Sequence, residues 1–297
     1  MSENIKEIRC GTIAIVGQPN VGKSTLLNYF VGTKLSITSK KAQTTRYQLL
    51  GIHSTEDTQF IFVDTPGYQL KYLNTMNRGL NKTVLQALRE VDLVLFLIEP
   101  GLMDSTDEKI LSMIPTDTPA VLVINKVDLM KDKEKLLGLM KTFDTLERFE
   151  AIVPTSVKKK SNLMELMQSL KPFLPVQDFI YEVDEITDKN ERFLASEIIR
   201  EKIFRLTGQE LPYSVAIEIE KFEQEGGTRR IFAAIIVDRD SQKPMIIGKK
   251  GARLKEISMS ARLDMERLFG GKVWLETWVK VKKGWADDQR ALKSLGL

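Results

Sequence analysis

Residues Gly17 to Ser24, GQPNVGKS, have the GxxxxGKS spacing of a phosphate-binding loop and directly follow a short apolar run. Glycines at the two fixed positions let backbone N–H groups point at a polyphosphate, and a helix starting there adds its positive dipole end. Lys23 is suited to neutralising β- and γ-phosphates, and the Ser24 hydroxyl to ligating Mg²⁺. In a chain of this length the pattern arises by chance with a probability of about 1%. The loop therefore predicts a nucleotide site, with contacts from Gly17, Pro19, Asn20, Val21, Gly22, Lys23, Ser24 and Thr25.

Two motifs further along the chain indicate which nucleotide binds. Asp64-Thr-Pro-Gly67 ends an apolar run, so Asp64 can hold Mg²⁺ through water and the Gly67 N–H can meet a γ-phosphate. Asn125-Lys126-Val-Asp128 follows a second apolar run, at the strand end where α/β sheets bind ligands. Asp128 can accept two N–H bonds from the guanine edge, whereas adenine presents an acceptor there. This contrast predicts GTP and GDP, with Mg²⁺. A looser match, Ser156 and Val157, is expected to bring a backbone N–H to the base.

A polar segment between these motifs, Lys40 to Arg46, has neither helical nor strand periodicity. A threonine there could complete the Mg²⁺ shell only when a γ-phosphate is present, which would order the segment with GTP. We assign this role to Thr45, with Thr44 as the alternative.

Hydrolysis would depend on positioning and charge, which we assign to Lys23, Thr45 and Gly67. The position after the DxxG glycine, where Ras-like enzymes have a water-orienting glutamine, is Tyr68. We therefore predict slow intrinsic GTP hydrolysis, accelerated by a partner or by a monovalent cation such as K⁺, with Asn20 as its candidate ligand. A module that binds GTP without hydrolysing it is the alternative.

Positive charge is concentrated in the last part of the chain, where residues 241–297 carry 13 basic and 6 acidic side chains. Within it, Gly248-Lys-Lys-Gly251 has the GxxG spacing with which KH domains clamp about four single-stranded nucleotides. Glycines permit close approach of a sugar-phosphate backbone, and the lysines supply counter-charge. The predicted RNA contacts are Ile247, Gly248, Lys249, Lys250, Gly251, Arg253 and Lys255. An anionic lipid surface is the alternative ligand for this charge.

Apolar periodicity predicts the elements that position these residues. The first half has five short apolar runs separated by amphipathic helices, the pattern of a mostly parallel sheet covered on both faces, with Tyr47–His53 as an antiparallel edge strand. Ser161 is a plausible N-cap for the last helix there. The second half is predicted to be an α+β domain of order α-β-β-α-α-β, with the two middle helices at Lys249–Ile257 and Ala261–Leu268.

Two prolines in KPFLPV, residues 171–176, followed by four acidic residues before position 186, indicate a linker between two domains. The predicted limits are 1–10 for an N-terminal tail, 11–174 for the GTPase domain, 175–190 for the linker, 191–285 for the RNA-binding domain and 286–297 for a C-terminal tail.

Composition limits the cellular setting. The chain of 297 residues has a net charge of +4 and a single cysteine, Cys10, which excludes an internal disulfide. No apolar run reaches the roughly 18 to 20 residues needed to cross a bilayer, and the first ten residues lack a signal-peptide core. A cytoplasmic protein is expected. His53, the only histidine, has no matched nucleophile or metal set and is interpreted as structural.

Nearly the whole chain resembles the Era family of bacterial GTPases. The resemblance rests on six stretches of sequence: GQPNVGKSTLLN, KAQTTR, DTPG, NKVD, IIGKKG and the closing VWLETWVKVKKGW. The resemblance implies a GTPase domain followed by a type II KH domain. It also implies a monomeric factor in ribosome biogenesis that binds 16S rRNA of the small subunit and the 30S precursor, with some peripheral association with the inner membrane. Val157 stands where the family usually has alanine, and Tyr68 where an aliphatic residue is common.

Overall fold

The computed structural model describes residues 7–38, 46–68, 75–207 and 215–285. These residues divide into two compact units. The described residues up to Ser36 and from Arg46 to Asp188 form the first unit. Ile37, Thr38 and the described residues from Lys189 onward form the second.

The described part of the first unit contains a six-stranded sheet. Its strands are β1 (Arg9–Gly17), β2 (Leu49–Ser54), β3 (Thr58–Asp64), β4 (Leu93–Ile98), β5 (Ala120–Ile124) and β6 (Ala151–Pro154), in the spatial order β2-β3-β1-β4-β5-β6. β2 pairs antiparallel with β3, and the remaining pairs are parallel. The prediction of a mostly parallel sheet with an antiparallel edge strand is therefore confirmed.

Five helices of this unit lie among the described residues: α1 (Lys23–Val31), α2 (Thr75–Arg89), α3 (Ser105–Leu111), α4 (Lys133–Asp144) and α5 (Leu163–Leu170). α3 begins with a capping box in which Asp104 accepts from the backbone of Thr106 and Asp107. The prediction of Ser161 as the N-cap of α5 is wrong. Asn162 occupies that place in a left-handed conformation, and Ser161 instead pairs with Ser156 in an antiparallel bridge.

Alternating strand residues build a core on each face of the sheet. On one face, Ala14, Val16, Val94 and Phe96 pack with residues of α2, α3 and α4. On the other, α1 lies so close to β2 that a Cβ added at Gly51 would be 2.6 Å from Leu27 Cδ1. Because both faces are covered, the residues of β4 are all buried.

The chain beyond α5 stays attached to this sheet through hydrogen bonds of the Gln59 side chain and of the β2 backbone. Gln59, fully buried on β3, accepts from the N–H groups of Ile180 and Tyr181 at 3.0 Å and donates to Tyr181 O at 2.8 Å. The Ile52 N–H of β2 donates to Ile186 O at 2.9 Å. The acidic segment after the prolines is thus ordered along β2 and β3.

The second unit contains α6 (Glu191–Leu206), β7 (Val215–Glu225), β8 (Thr228–Val237), α7 (Lys243–Ile247), α8 (Ala252–Phe269) and β9 (Lys272–Val281). β8 pairs antiparallel with β7 and parallel with β9. This is the predicted order, but the predicted bounds of the two middle helices are wrong. α7 ends before the GxxG turn, and α8 continues through Ser258, whose hydroxyl donates to Leu254 O within the helix.

One face of the three-stranded sheet packs against helices α6 and α8. Val273 and Val279 of β9 are buried in this core. On the opposite face Trp278 packs against a small cluster that includes the buried Trp285, and Trp274 contacts Phe232 with ring centroids 5.1 Å apart. The tryptophans of β9 therefore pack against neighbouring side chains. No helix within the described ranges combines the length and the apolar character required to cross a membrane.

Candidate functional site

The loop between β1 and α1 has the backbone shape of a phosphate cradle. Gly17, Asn20 and Gly22 have positive φ angles of 148°, 68° and 111°. A Cβ at Gly17 would lie 2.3 Å from Leu97 O, and one at Gly22 would lie 2.3 Å from Asn125 Nδ2. Both glycines are therefore required by packing as well as by dihedral angle.

Lys23 is the first residue of α1 and is almost completely buried. Its Nζ donates to Gly17 O at 3.0 Å and to Gln18 O at 2.8 Å, so the ammonium lies over the loop. Burial lowers the pKa of Lys23 to about 8, and the nearby Asp64 carboxylate opposes this shift. An anionic phosphate at this loop would replace the two carbonyls as the partner of the ammonium and favour its charged form.

The predicted metal-binding side chains lie together. Parallel pairing places Asp64, at the end of β3, beside Ile15 of β1, and Ser24 Oγ donates to Asp64 Oδ2 at 2.9 Å. A hydroxyl that donates its proton to a carboxylate still offers lone pairs to a cation, and oxygen ligands are those that Mg²⁺ prefers. This donor set fits Mg²⁺. Thr44 and Thr45 lie outside the described residues.

Gly67 of the DxxG motif lies against the phosphate-binding loop, because a Cβ there would be 3.1 Å from Pro19 Cγ. Upstream of it, the buried Thr65 donates to Ile15 O at 2.9 Å, which fixes the turn after β3 on β1. Gly67 therefore lies next to Pro19 of the phosphate-binding loop, and the contact of its N–H with a terminal phosphate stays a prediction.

The base-side motif is tied to the phosphate loop by Asn125. Its Nδ2 donates to Val21 O at 2.7 Å, and its Oδ1 accepts from the Val157 N–H at 3.1 Å. Asn125 thus joins three separate parts of the chain instead of pointing at solvent, and it is 2% exposed. The contact of Val157 with a base stays a prediction, since its amide here bonds to Asn125.

Asp128 is exposed and is oriented by Ser156, whose hydroxyl donates to Asp128 Oδ1 at 2.5 Å. Lys126 has a left-handed conformation with φ 65° and forms an ion pair with Glu99. A cavity of about 620 Å³ lies beside this region, between α1 and the segment Val157 to Lys160. Its walls include Thr25 and Lys34.

Two residues that the sequence analysis missed complete this site. Ser36 is buried, and its hydroxyl donates to the same Asp64 Oδ2 that Ser24 contacts, at 2.6 Å. Asn28 of α1 accepts from the N–H groups of Leu35 and Ser36 and donates to Ser36 O. An asparagine inside a helix is disfavoured unless its side chain bonds to backbone, and this signal could have identified Asn28. No pattern in the sequence indicates Ser36.

The GxxG segment forms the turn between α7 and α8 in the second unit. Gly248, Lys250 and Gly251 have φ angles of 72°, 51° and 79°. A Cβ at Gly248 would lie 2.7 Å from Arg253 Cβ, so only glycine fits there. The Arg253 guanidinium donates back to Met245 O and closes the turn.

The charged side chains of this turn extend into solvent. Lys249, Lys250 and Lys255 are exposed, whereas the neighbouring Ile246 is fully buried and Ile247 packs against the core of the unit. The predicted RNA contacts thus lie on the GxxG turn and on the adjoining ends of α7 and α8, and Arg253 also has a structural role that its charge did not indicate.

Comparison with known proteins finds family matches in both halves of the chain. A family model described as "50S ribosome-binding GTPase" matches residues 12–126, and a KH-domain model matches residues 210–286. Proteins named GTPase Era from Chromobacterium violaceum and Nitrosomonas eutropha are 50% and 51% identical over 288 residues, covering 97% of this chain and 97% of each relative.

Two solved structures match with a TM-score of 0.93 and 39% identity, covering 97% of this chain and 99% of theirs. One is an Aquifex aeolicus Era variant bound to GDP and AlF₄⁻. The other is Era in complex with MgGDPNP and nucleotides 1506–1542 of 16S ribosomal RNA. The chain therefore belongs to the Era family of GTPases, as a GTP hydrolase in which a P-loop GTPase domain precedes a KH domain.

Proposed function

We propose that this chain is a GTP-controlled RNA-binding factor that acts in maturation and assembly of the small ribosomal subunit, with 16S rRNA and the 30S precursor as its partners. The observation that carries this proposal is the presence, in one chain, of a guanine-type site at Asp128 and an exposed lysine-bearing GxxG turn. The complex of the related Era with MgGDPNP and a 16S rRNA segment supports the choice of RNA.

In the first unit, each part of GTP has a matching group. Lys23 and the backbone N–H groups of the loop would hold the phosphates, and the paired Asp128 and Ser156 would read the guanine edge. Ser24 and Asp64 would hold Mg²⁺, which supplies positive charge to the phosphate oxygens. Thr45 and Gly67 are proposed to contact the terminal phosphate.

Hydrolysis is proposed to be slow without an activator. Position 68 is a tyrosine, whose side chain packs partly against the apolar core of the first unit, so it offers no amide to orient water. K⁺ near the exposed Asn20 is the proposed source of the missing positive charge. Phosphate release should be several-fold faster in K⁺ than in Na⁺ buffer at equal ionic strength. Equal rates in the two buffers would remove the cation from the proposal.

In the second unit, the GxxG turn would hold the RNA backbone. Gly248 and Gly251 leave space for sugar and phosphate, and the exposed Lys249, Lys250 and Lys255 supply charge around it. RNA in this position would be single-stranded, because KH turns bind about four unpaired nucleotides.

Control of RNA binding by the nucleotide is supported by the chain that follows Ser36. Ile37 and Thr38 belong to the second unit, where Arg205 Nη2 donates to Thr38 Oγ1 at 3.1 Å. Arg205 also pairs with the buried Glu201 at 2.6 Å. Thr38 is two residues beyond Ser36, which donates a hydrogen bond to Asp64. A change in the conformation of the polar segment on GTP binding would therefore act on the contact between Thr38 and Arg205.

The proposed setting is a monomer in the cytoplasm with some peripheral contact with the inner membrane, for which the charge of residues 241–297 is the support. Binding to short single-stranded RNA should exceed binding to vesicles of anionic lipid at equal salt. A preference for the vesicles would favour a GTPase that docks on membrane through this charge.

Crosslinking in cells, followed by sequencing of the bound RNA, tests the proposal with the wild type and a Lys23→Ala variant. The wild type should enrich small-subunit ribosomal RNA near its 3′ end. Lys23→Ala should lose most of this enrichment, because it cannot hold the phosphates that control binding. Enrichment of unrelated RNA, or equal enrichment by both proteins, would contradict the proposal.

A further inference from the structure

Among the residues that the structure describes, two hydroxyl groups donate to the Asp64 carboxylate, and one of these, Ser24, belongs to the phosphate-binding motif. Ser24 Oγ and Ser36 Oγ both donate to Oδ2, at 2.9 Å and 2.6 Å. Asp64 is fully buried and Ser36 is 4% exposed. A hydrogen bond to a buried carboxylate is charge-assisted, and such bonds fix the orientation of the acceptor.

Ser36 is itself held rigidly by Asn28 of α1. The Asn28 side chain forms three hydrogen bonds with backbone: it accepts from Leu35 N–H at 2.9 Å and Ser36 N–H at 2.8 Å, and it donates to Ser36 O at 2.8 Å. α1 is the helix that begins with Lys23 and Ser24. The phosphate-binding helix therefore positions a second hydroxyl on Asp64 through a loop that carries no recognised motif.

We propose that Asn28 and Ser36 are positioning residues for the Mg²⁺ site: Asn28 fixes Ser36, and Ser36 fixes the Asp64 carboxylate in the orientation that serves the metal. This inference rests on the proposed Mg²⁺ and nucleotide site and adds to it two residues outside the four GTPase motifs. Groups that orient a metal-binding carboxylate typically change metal affinity by about 10- to 100-fold when they are removed.

Asn28 and Ser36 lie just before the polar segment in which Thr45 occurs. Ser36 is the last residue of the first unit before Ile37 and Thr38, so Asn28 and Ser36 fix the chain a few residues before the polar segment that begins at Lys40. A rearrangement of the chain with nucleotide would therefore involve residues beyond Ser36, whose hydroxyl is held next to Asp64.

The test is the release of a fluorescent GDP from the full chain at a series of free Mg²⁺ concentrations. Wild type should release GDP slowly at high Mg²⁺ and faster in EDTA. In Ser36→Ala the Mg²⁺ concentration at half-effect should rise about tenfold, while release in EDTA stays as in wild type. Ser36→Cys, which has the shape of serine with a larger and weakly donating sulfur, should behave like Ser36→Ala, and Ser36→Thr, which keeps the hydroxyl, should keep the wild-type midpoint.

Asn28→Ala should shift the midpoint in the same direction with Ser36 intact. Ser169→Ala, which removes a hydroxyl that bonds to Leu166 O on α5, is the matched control and should leave the midpoint unchanged. Equal acceleration of GDP release with and without Mg²⁺, in variants that keep the melting temperature of the wild type, would show a merely structural role and overturn the inference. Loss of Mg²⁺ dependence in the wild type would instead overturn the proposed metal site.

Discussion

Single side chains in the nucleotide site are held by partners from distant parts of the chain. Asp128 is exposed enough to meet a base, but its orientation comes from Ser156, 28 residues later. Asn125 is buried and bridges Val21 and Val157, which makes it a structural support of both ends of the site. The same motif thus contains an exposed residue, Asp128, for which we propose the contact with guanine, and a buried residue, Asn125, that joins separate parts of the candidate site.

Asp128→Asn is expected to change which purine nucleotide binds. The carboxylate accepts two N–H bonds from guanine, and charge-assisted bonds contribute about 1.5 to 3 kcal/mol each, so GTP affinity should fall by at least tenfold. The asparagine amide can donate to the oxygen that xanthine carries in place of the amino group. Competition binding with GTP and xanthosine triphosphate measures the exchange.

Asp132→Asn is the control for that substitution. Asp132 caps α4 in the same unit by accepting from Glu134 N–H, and an asparagine can do the same. It should leave the preference for GTP intact. An Asp128→Asn protein that still selects GTP over xanthosine triphosphate as strongly as wild type would show that Asp128 does not read the base.

Short turns between regular elements form both sites. The phosphate loop joins β1 to α1, and the GxxG turn joins α7 to α8. In each turn a neighbouring side chain leaves no room for a Cβ at one glycine: Asn125 lies against Gly22, and Arg253 lies against Gly248. A helix starts immediately after each turn, so the backbone N–H groups of its first residues are available to an anion.

Gly248→Ala is expected to destabilise the second unit by about 1 to 3 kcal/mol, because φ 72° with ψ 178° is a region that essentially only glycine adopts. Thermal unfolding followed by circular dichroism measures the loss. Gly138→Ala is the matched control: Gly138 lies inside α4 with open space around it, so alanine should be neutral or stabilise by about 0.5 to 1 kcal/mol. A Gly248→Ala protein as stable as wild type would show that the turn relaxes.

Replacing Lys249 and Lys250 together by aspartate should abolish binding of short single-stranded RNA while GTP affinity stays unchanged. The two exposed ammonium groups become carboxylates at the place where a phosphate backbone would lie, and repulsion replaces attraction. Fluorescence anisotropy with labelled RNA and with labelled GTP gives the two affinities. Lys135 and Lys141, exposed on α4 in the first unit, provide a double substitution of equal charge that should spare RNA binding.

The chain passes between the two units at Ser36–Ile37 and at Asp188–Lys189, and these crossings join the proposed nucleotide site to the proposed RNA site. The segment after α5 is fastened to β2 and β3 by Gln59, and the segment after Ser36 supplies Ile37 and Thr38 to the second unit. In that unit an ion-pair series runs from Arg205 through Glu201 and Lys202 to Asp264 on α8, the helix that follows the GxxG turn.

Arg205→Ala should reduce the difference in RNA affinity between the GTP-bound and GDP-bound protein by about three- to tenfold, the equivalent of one or two hydrogen bonds. RNA binding measured with a non-hydrolysable GTP analogue and with GDP gives this difference. Arg239→Ala removes an exposed arginine of the same unit and should leave the difference unchanged. If both variants kept the full difference, the contact with Thr38 would have no part in control.

Most of the site was readable in the sequence because its motifs are contiguous: a turn that needs glycine at fixed places and a lysine one residue later is a local property of the chain. The alternation of apolar residues likewise predicted the sheets and the order of elements, since burial of one face requires that period. The errors lay at element ends, at Ser161 and around α7, where a few polar residues can satisfy the backbone in more than one way.

Three contacts were visible only in the tertiary structure: Ser36 with Asp64, Arg205 with Thr38, and Gln59 with Tyr181. The last two pairs are separated by 167 and 122 residues in the sequence. No period or spacing encodes such partners, because a polar side chain bonds to whichever group lies within about 3 Å of it. That neighbour is set by how the sheets and helices pack, and packing is a property of the complete fold.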